Sequence, residues 1–113
     1  MAQIVHKVSP AVVRERIRAS PEEIADFCRA HHIRWLALFG SVLRDDFRAD
    51  SDIDVLVEFV PERPVTFIDL HEMEERLSRL FDGRRIDLVT PSSLHRLIRP
   101  RVLPFAEVQF AEG

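Results

Sequence analysis

Gly40 and Ser41 close one apolar run, and ten residues later Asp52 and Asp54 open the next, within FGSVLRDDFRADSDIDVLVEF, Phe39 to Phe59. Two carboxylates separated by one residue point the same way when their segment is a strand. A strand seldom starts on paired negative charge unless something offsets it. Asp87, in the later run RRIDLV, is out of phase with its apolar neighbours Ile86 and Leu88 and joins the same polar face if the two strands pair. Three carboxylates together cannot all stay ionised without a counter-charge. Carboxylate oxygens suit Mg²⁺ or Mn²⁺, and magnesium prefers a few carboxylates together with waters and substrate phosphates. That set leaves room for a nucleotide.

Gly40-Ser41 supplies the complementary half. Glycine lets the backbone turn sharply and approach a phosphate closely. Amides opening a helical turn favour an anion. The Ser41 hydroxyl adds a donor, and Arg44, about one turn further, can face the same anion. The predicted chemistry places a triphosphate between the glycine-serine turn and a pair of metal ions on the aspartates. The metals activate an attacking hydroxyl and neutralise departing pyrophosphate.

Elements to position these groups are marked along the chain. Ser20-Pro21-Glu22-Glu23 is a helix start with a capping serine, and Ile24, Phe27, Cys28 and His31 share a face, which predicts a helix from Pro21 to about His31. Ser9-Pro10 predicts a short helix over 10–18. Thr66 and Asp69 form another capping box before Phe67, Leu70, Met73, Leu77, Leu80 and Phe81, with Gly83 at the end. Thr90-Pro91 predicts a last short helix carrying Leu94, Leu97 and Ile98, which Pro100 stops. Strands are expected at 33–39, 53–60 and 85–89, with an edge strand at 106–110. The order α-α-β-α-β-α-β-α-β, with a helical turn after Gly40, predicts an α/β domain: a small mixed sheet flanked by helices.

Whole-chain properties narrow the class. The 113 residues suit one domain, with 46% apolar and 31% charged side chains. A net charge of −3 supplies no bulk field for nucleic acid, so no direct nucleic-acid binding is expected. One cysteine, Cys28, excludes an internal disulfide and fits a reducing cytoplasm. No apolar run has membrane-spanning length, and the N-terminus lacks a signal-peptide core. Residues 1–8 read as a loose lead-in and 111–113 as a short tail, with the core at about 20–110.

Gly40-Ser41, ten residues, Asp52-x-Asp54 and a later strand aspartate, Asp87, together resemble the nucleotidyltransferases of the DNA polymerase beta superfamily, and among them the minimal nucleotidyltransferases of prokaryotes. The resemblance covers Pro21 to Phe110. It implies a polymerase-beta-like core in which Asp52 and Asp54 hold two Mg²⁺ ions (or Mn²⁺). Asp87 would hold the catalytic one and help deprotonate the acceptor. Ser41 and Arg44 would hold the β- and γ-phosphates of ATP. It further implies an antitoxin that transfers AMP from ATP to a tyrosine of a partner HEPN-family ribonuclease toxin, with a homodimer left open. Many relatives carry a basic residue directly after Gly-Ser; Val42 stands here, so one phosphate contact is missing or comes from another arginine such as Arg84 or Arg85. With no tyrosine in the chain, modification of its own tyrosine is excluded. The chain also lacks the Arg-x4-6-His spacing of the toxin active site. Two rivals stand beside this reading: transfer to a small hydroxylated molecule, and a non-catalytic antitoxin acting by contact alone.

The blander readings of these residues are a solvated strand start for Asp52 and Asp54, a helix cap for Ser41, and an ion pair with Asp45 or Asp46 for Arg44. His71-Glu72 has no second histidine at zinc-protease spacing and is rejected as a metal motif. His31-His32 reads as a helix end and Cys28 as core. Arg96, Arg99 and Arg101 cluster near the C-terminus and read as surface, with phosphate or partner binding as the alternative.

Overall fold

A computed structural model describes residues 6–112. Helix α1 spans Pro10–Ile17 and α2 spans Pro21–Ala30. Strand β1 (Ile33–Phe39) runs into a 3₁₀ turn at Gly40–Leu43, and β2 follows at Ile53–Phe59. Helix α3 is Phe67–Leu80, β3 is Ile86–Val89, α4 is Arg99–Val102 and β4 is Glu107–Ala111. The expected capping boxes form: Ser20 with Glu23, and Thr66 with Asp69.

The four strands lie in the order β3-β2-β1-β4. β1 runs antiparallel to β2 and β4, whereas β2 and β3 are parallel. Parallel neighbours require a crossover, which α3 supplies. The sheet is therefore mixed and flanked by helices, as expected. Ile53, Val55 and Val57 of β2 meet Leu36 and Leu38 of β1, Ile24 and Cys28 of α2, and Met73 and Leu77 of α3 in one core. The opposite phase of β2 carries Asp54 and Leu56, with Asp52 directly ahead of the strand, so the face turned from this core presents the carboxylates.

Two expectations fail. The helix predicted over 90–98 is a single 3₁₀ turn, Pro91–Ser93. Thr90 and Ser93 cap each other, with the Ser93 amide donating to Thr90 Oγ1 at 3.2 Å and the Ser93 hydroxyl donating to the Thr90 carbonyl at 2.8 Å. These local bonds compete with helix propagation. Leu94 then turns extended and is buried, leaving Leu97 exposed. The helix resumes at Arg99 with Pro100 in its first turn, where a missing N–H costs nothing. Pro100 starts a helix instead of stopping one.

The ends are also less loose than expected. The Val8 amide donates to the Leu43 carbonyl at 2.8 Å, and the Asp45 amide to the His6 carbonyl at 2.9 Å, so 6–8 lie beside the turn after Gly40. Residues 1–5 of the lead-in lie outside the described residues. Ala111 belongs to β4, and the Glu112 amide donates to the Arg34 carbonyl at 2.8 Å.

Candidate functional site

β1 ends at Phe39 directly opposite Asp54 on β2. Gly40 follows with φ +76°, a left-handed conformation that disfavours any side chain. It is needed for a second reason. A Cβ on Gly40 would lie 2.1 Å from Asp54 Oδ2, so the Asp54 carboxylate rests against the bare glycine backbone. On its other side Asp54 is in register with Asp87 of β3. Turn, doublet and third aspartate are brought together by two strand pairings.

The electrostatics reflect that gathering. Burial, then Asp87, then Asp52 push the Asp54 carboxyl up to about 6, with Arg44 pulling the other way. The sign for stability follows. The folded chain keeps this proton up to about pH 6, whereas the unfolded chain releases it near 3.8. Stability of the metal-free protein should therefore fall as pH rises through that window. Asp54→Asn removes the penalty. In thermal melts without metal it should raise Tm by about 2–5 °C at pH 7.5 and change little at pH 3.5. Equal melting of the two proteins at pH 7.5 would contradict the charge crowding.

Asp52 is drawn aside to Arg85, Nε to Oδ1 at 3.5 Å. Among the described residues no three acidic, histidine or cysteine side chains are gathered tightly enough to hold a metal ion. The donor chemistry nevertheless fits a hard divalent cation: oxygens only, mutually repelling, and beside a backbone cradle that a Cβ would fill. The Asp52–Arg85 pair is exposed, and an exposed ion pair is weak, so it poses little obstacle to such a site.

The phosphate-side residues are placed less uniformly. Ser41 is half-buried at the start of the 3₁₀ turn, and its carbonyl accepts from the Arg44 amide at 2.9 Å. Arg44 pairs with Asp46 at 3.1 Å, the surface ion pair weighed against a phosphate role, yet it also lines the cleft that contains Asp54. Val42 is fully buried in the core, so its side chain is not presented to this cleft. Of the two arginines considered as replacements, Arg85 lies beside Asp52. Arg84 is turned away, its Nη1 donating to the carbonyls of Arg48, Ala49 and Ser51.

The cleft holds about 550 Å³ and is lined by Lys7, Phe39, Gly40, Leu43, Arg44, Asp54, Arg101, Val102 and Phe105. Lys7 and Phe105 carry no signal in the sequence that marks them as site residues, and Arg101 carries only the phosphate or partner alternative of its cluster. Lys7 comes from the lead-in and lies opposite Arg44. Arg101 and Phe105 come from the segment after β3, and Phe105 keeps 66% of its surface exposed. Within the arginine cluster Arg99 is spent on the Leu94 carbonyl at 3.0 Å.

Other chemistry-bearing residues are structural. Burial pushes the Cys28 thiol up to about 12, so it is an inert core residue. His31 caps α2 and stacks against Phe27, and His71 pairs with Glu75 along α3.

Comparison with known proteins identifies the family of the fold. The family model for a nucleotidyltransferase domain matches residues 21–111. Protein adenylyltransferase MntA of Thermococcus cleftensis is 38% identical over 90 residues, covering 73% of this chain and 88% of the relative. A solved structure described as a minimal nucleotidyltransferase is 36% identical with a TM-score of 0.65, covering 81% of this chain and 91% of that one. The antitoxin complexed with a tri-AMPylated Shewanella oneidensis HEPN toxin is 22% identical with a TM-score of 0.58, over 80% of this chain and 69% of that one, and shares the fold. The chain belongs to the nucleotidyltransferase domain family.

Proposed function

We propose that this nucleotidyltransferase transfers AMP from ATP to a tyrosine hydroxyl of a HEPN-family toxin and thereby acts as its antitoxin. One observation carries the reading: Asp54 is in register with Asp87 and rests against the left-handed Gly40 at the wall of a cation-lined cleft. The names of the relatives supply the protein substrate and the partner: one is a protein adenylyltransferase, and another is complexed with an AMPylated HEPN toxin.

In this reading Asp52, Asp54 and Asp87 hold divalent metal, Mg²⁺ or Mn²⁺. When bound, the ions neutralise charge on the triphosphate and lower the pKa of the acceptor hydroxyl. Asp87, the most exposed of the three, receives the acceptor proton. The Gly40-Ser41 turn lets the triphosphate approach the backbone. Arg44, released from Asp46, contacts its terminal phosphates. Lys7 and Arg101 supply the cationic contact that Val42 cannot, and Phe105 offers an exposed face against which the base can stack.

Mg-ATP should stabilise the folded protein by mass action. At about 100 times Kd the gain is about 2.7 kcal/mol, a rise in Tm of about 10 °C. Arg44→Ala and Arg101→Ala should each weaken Mg-ATP binding about 5–10-fold in calorimetry, with metal-free Tm unchanged. A saturating Mg-ATP concentration that leaves Tm where it was would count against the nucleotide site. Unchanged affinity in both arginine variants would return those residues to surface roles.

A further inference from the structure

The phosphate turn and the carboxylates are joined by residues 44–52, which form no helix or named strand and are mostly exposed. Such a connection holds its ends in place only if something outside it does. Two arginines from distant elements do so here. Arg16 of α1 donates through Nη1 to the Val42 carbonyl at 3.0 Å and the Arg44 carbonyl at 2.6 Å, on the turn side. Arg84 donates through Nη1 to the carbonyls of Arg48, Ala49 and Ser51 at 2.9, 3.1 and 3.2 Å, directly ahead of Asp52. Both guanidinium groups lie over one ring, Phe47, at 4.9 Å for Arg16 and 4.3 Å for Arg84. Arg84 is itself pinned, because Ser78 of α3 donates to its carbonyl at 2.6 Å.

Taking the site as the nucleotide site argued above, we propose that Arg16, Phe47 and Arg84 are positioning residues. They clamp the 44–52 connection and so set the separation between the Gly40-Ser41 turn and the Asp52-x-Asp54 carboxylates. Arg16 lies before the residues that the family model matches, so α1 becomes part of the site's support. The residue type matters. A planar guanidinium can stack on an aromatic ring while its N–H groups reach carbonyls, whereas an ammonium is a compact point charge. Lysine at 84 keeps the charge and loses the geometry. The two arginines divide the work: Arg84 governs the carboxylate end and Arg16 the phosphate end.

Amide hydrogen exchange of the metal-free protein, followed residue by residue, tests the clamp without any ligand. The Arg48 amide donates to the Ser51 hydroxyl and the Ser51 amide to the Arg48 carbonyl, so both report on this connection. Arg84→Met should speed exchange at Arg48 and Ser51 about tenfold or more while β1 and β2 amides keep their rates. Free Mn²⁺, counted by its electron spin resonance, should then show about tenfold weaker binding to Arg84→Met. Arg16→Met should instead weaken ATP binding while leaving Mn²⁺ affinity near wild type. Arg84→Lys, which preserves charge and tolerates folding if methionine does not, should show the same loss in milder form. Unchanged exchange at Arg48 and Ser51 in Arg84→Lys and Arg84→Met, whatever their melting temperatures, overturns the clamp. A wild type that binds no Mn²⁺ overturns the nucleotide reading, and the exchange rates still decide the clamp.

Discussion

Replacing Asp52, Asp54 or Asp87 by asparagine should each lower AMP transfer by about 10³-fold or more, with the fold retained. The size follows from what a carboxylate does in a metal-dependent transfer. If the aspartates hold metal as proposed, losing one removes several kcal/mol of charge stabilisation in the transition state, and each 1.36 kcal/mol is tenfold in rate. The fold should persist because none of the three is a fully buried side chain and Asp54 is destabilising when ionised without metal. The three variants should differ in one respect. Asp54→Asn removes the part-buried charge itself, whereas Asp87→Asn and Asp52→Asn only lessen the repulsion on it, so Asp54→Asn should gain the most in Tm over wild type near neutral pH. Asp52→Asn also frees Arg85 from an exposed pair, which is worth little to stability. Transfer rates within tenfold of wild type in all three would remove the aspartates from the chemistry.

Gly40→Ala should be nearly as damaging to transfer as losing an aspartate. A methyl at Gly40 would overlap Asp54 Oδ2 at 2.1 Å, so the carboxylate must swing away. Misplacing a reacting group by about 1 Å can cost about 10²-fold in rate. The backbone adds a second penalty, because φ +76° costs a non-glycine residue about 1–2 kcal/mol. Gly40→Ala should therefore lose about 10²-fold or more in transfer and about 5–10 °C in Tm. Gly83→Ala is the control. Its φ of +84° carries the same backbone strain, but a Cβ there meets nothing within 4 Å. It should lower Tm without lowering saturated transfer rate. Equal losses of rate in the two glycine variants would show that strain, and not the seat of the Asp54 carboxylate, explains Gly40.

The residues that meet at the site were legible where the signal is local. Gly40-Ser41 and Asp52-x-Asp54 share one short stretch, and the period-two phase of Ile86, Asp87 and Leu88 put Asp87 on the polar face. The two strand pairings needed to unite them follow from ordinary α/β topology. Residues that act through long-range contact left no such trace. Arg84 resembled a phosphate ligand by its neighbourhood, yet it holds three carbonyls far away in the chain. Lys7 sits in a lead-in whose pairing with 43–45 depends on tertiary structure. The 90–98 stretch misled for a different reason: Thr90-Pro91 is a genuine cap, but the Ser93 side chain closes the turn after three residues.

Intact-mass spectrometry of a HEPN-family partner most directly tests the central claim. A HEPN-family toxin is incubated with this chain and Mg-ATP, and the toxin is weighed before and after. Each transferred AMP leaves a phosphodiester whose charge and bulk oppose an anionic RNA backbone. The account predicts one or more AMP units on the partner with wild-type protein and none with Asp52→Asn, Asp54→Asn or Asp87→Asn. A partner of unchanged mass, neutralised in cells as well by the aspartate variants as by wild type, would contradict it and make this chain an antitoxin by binding alone.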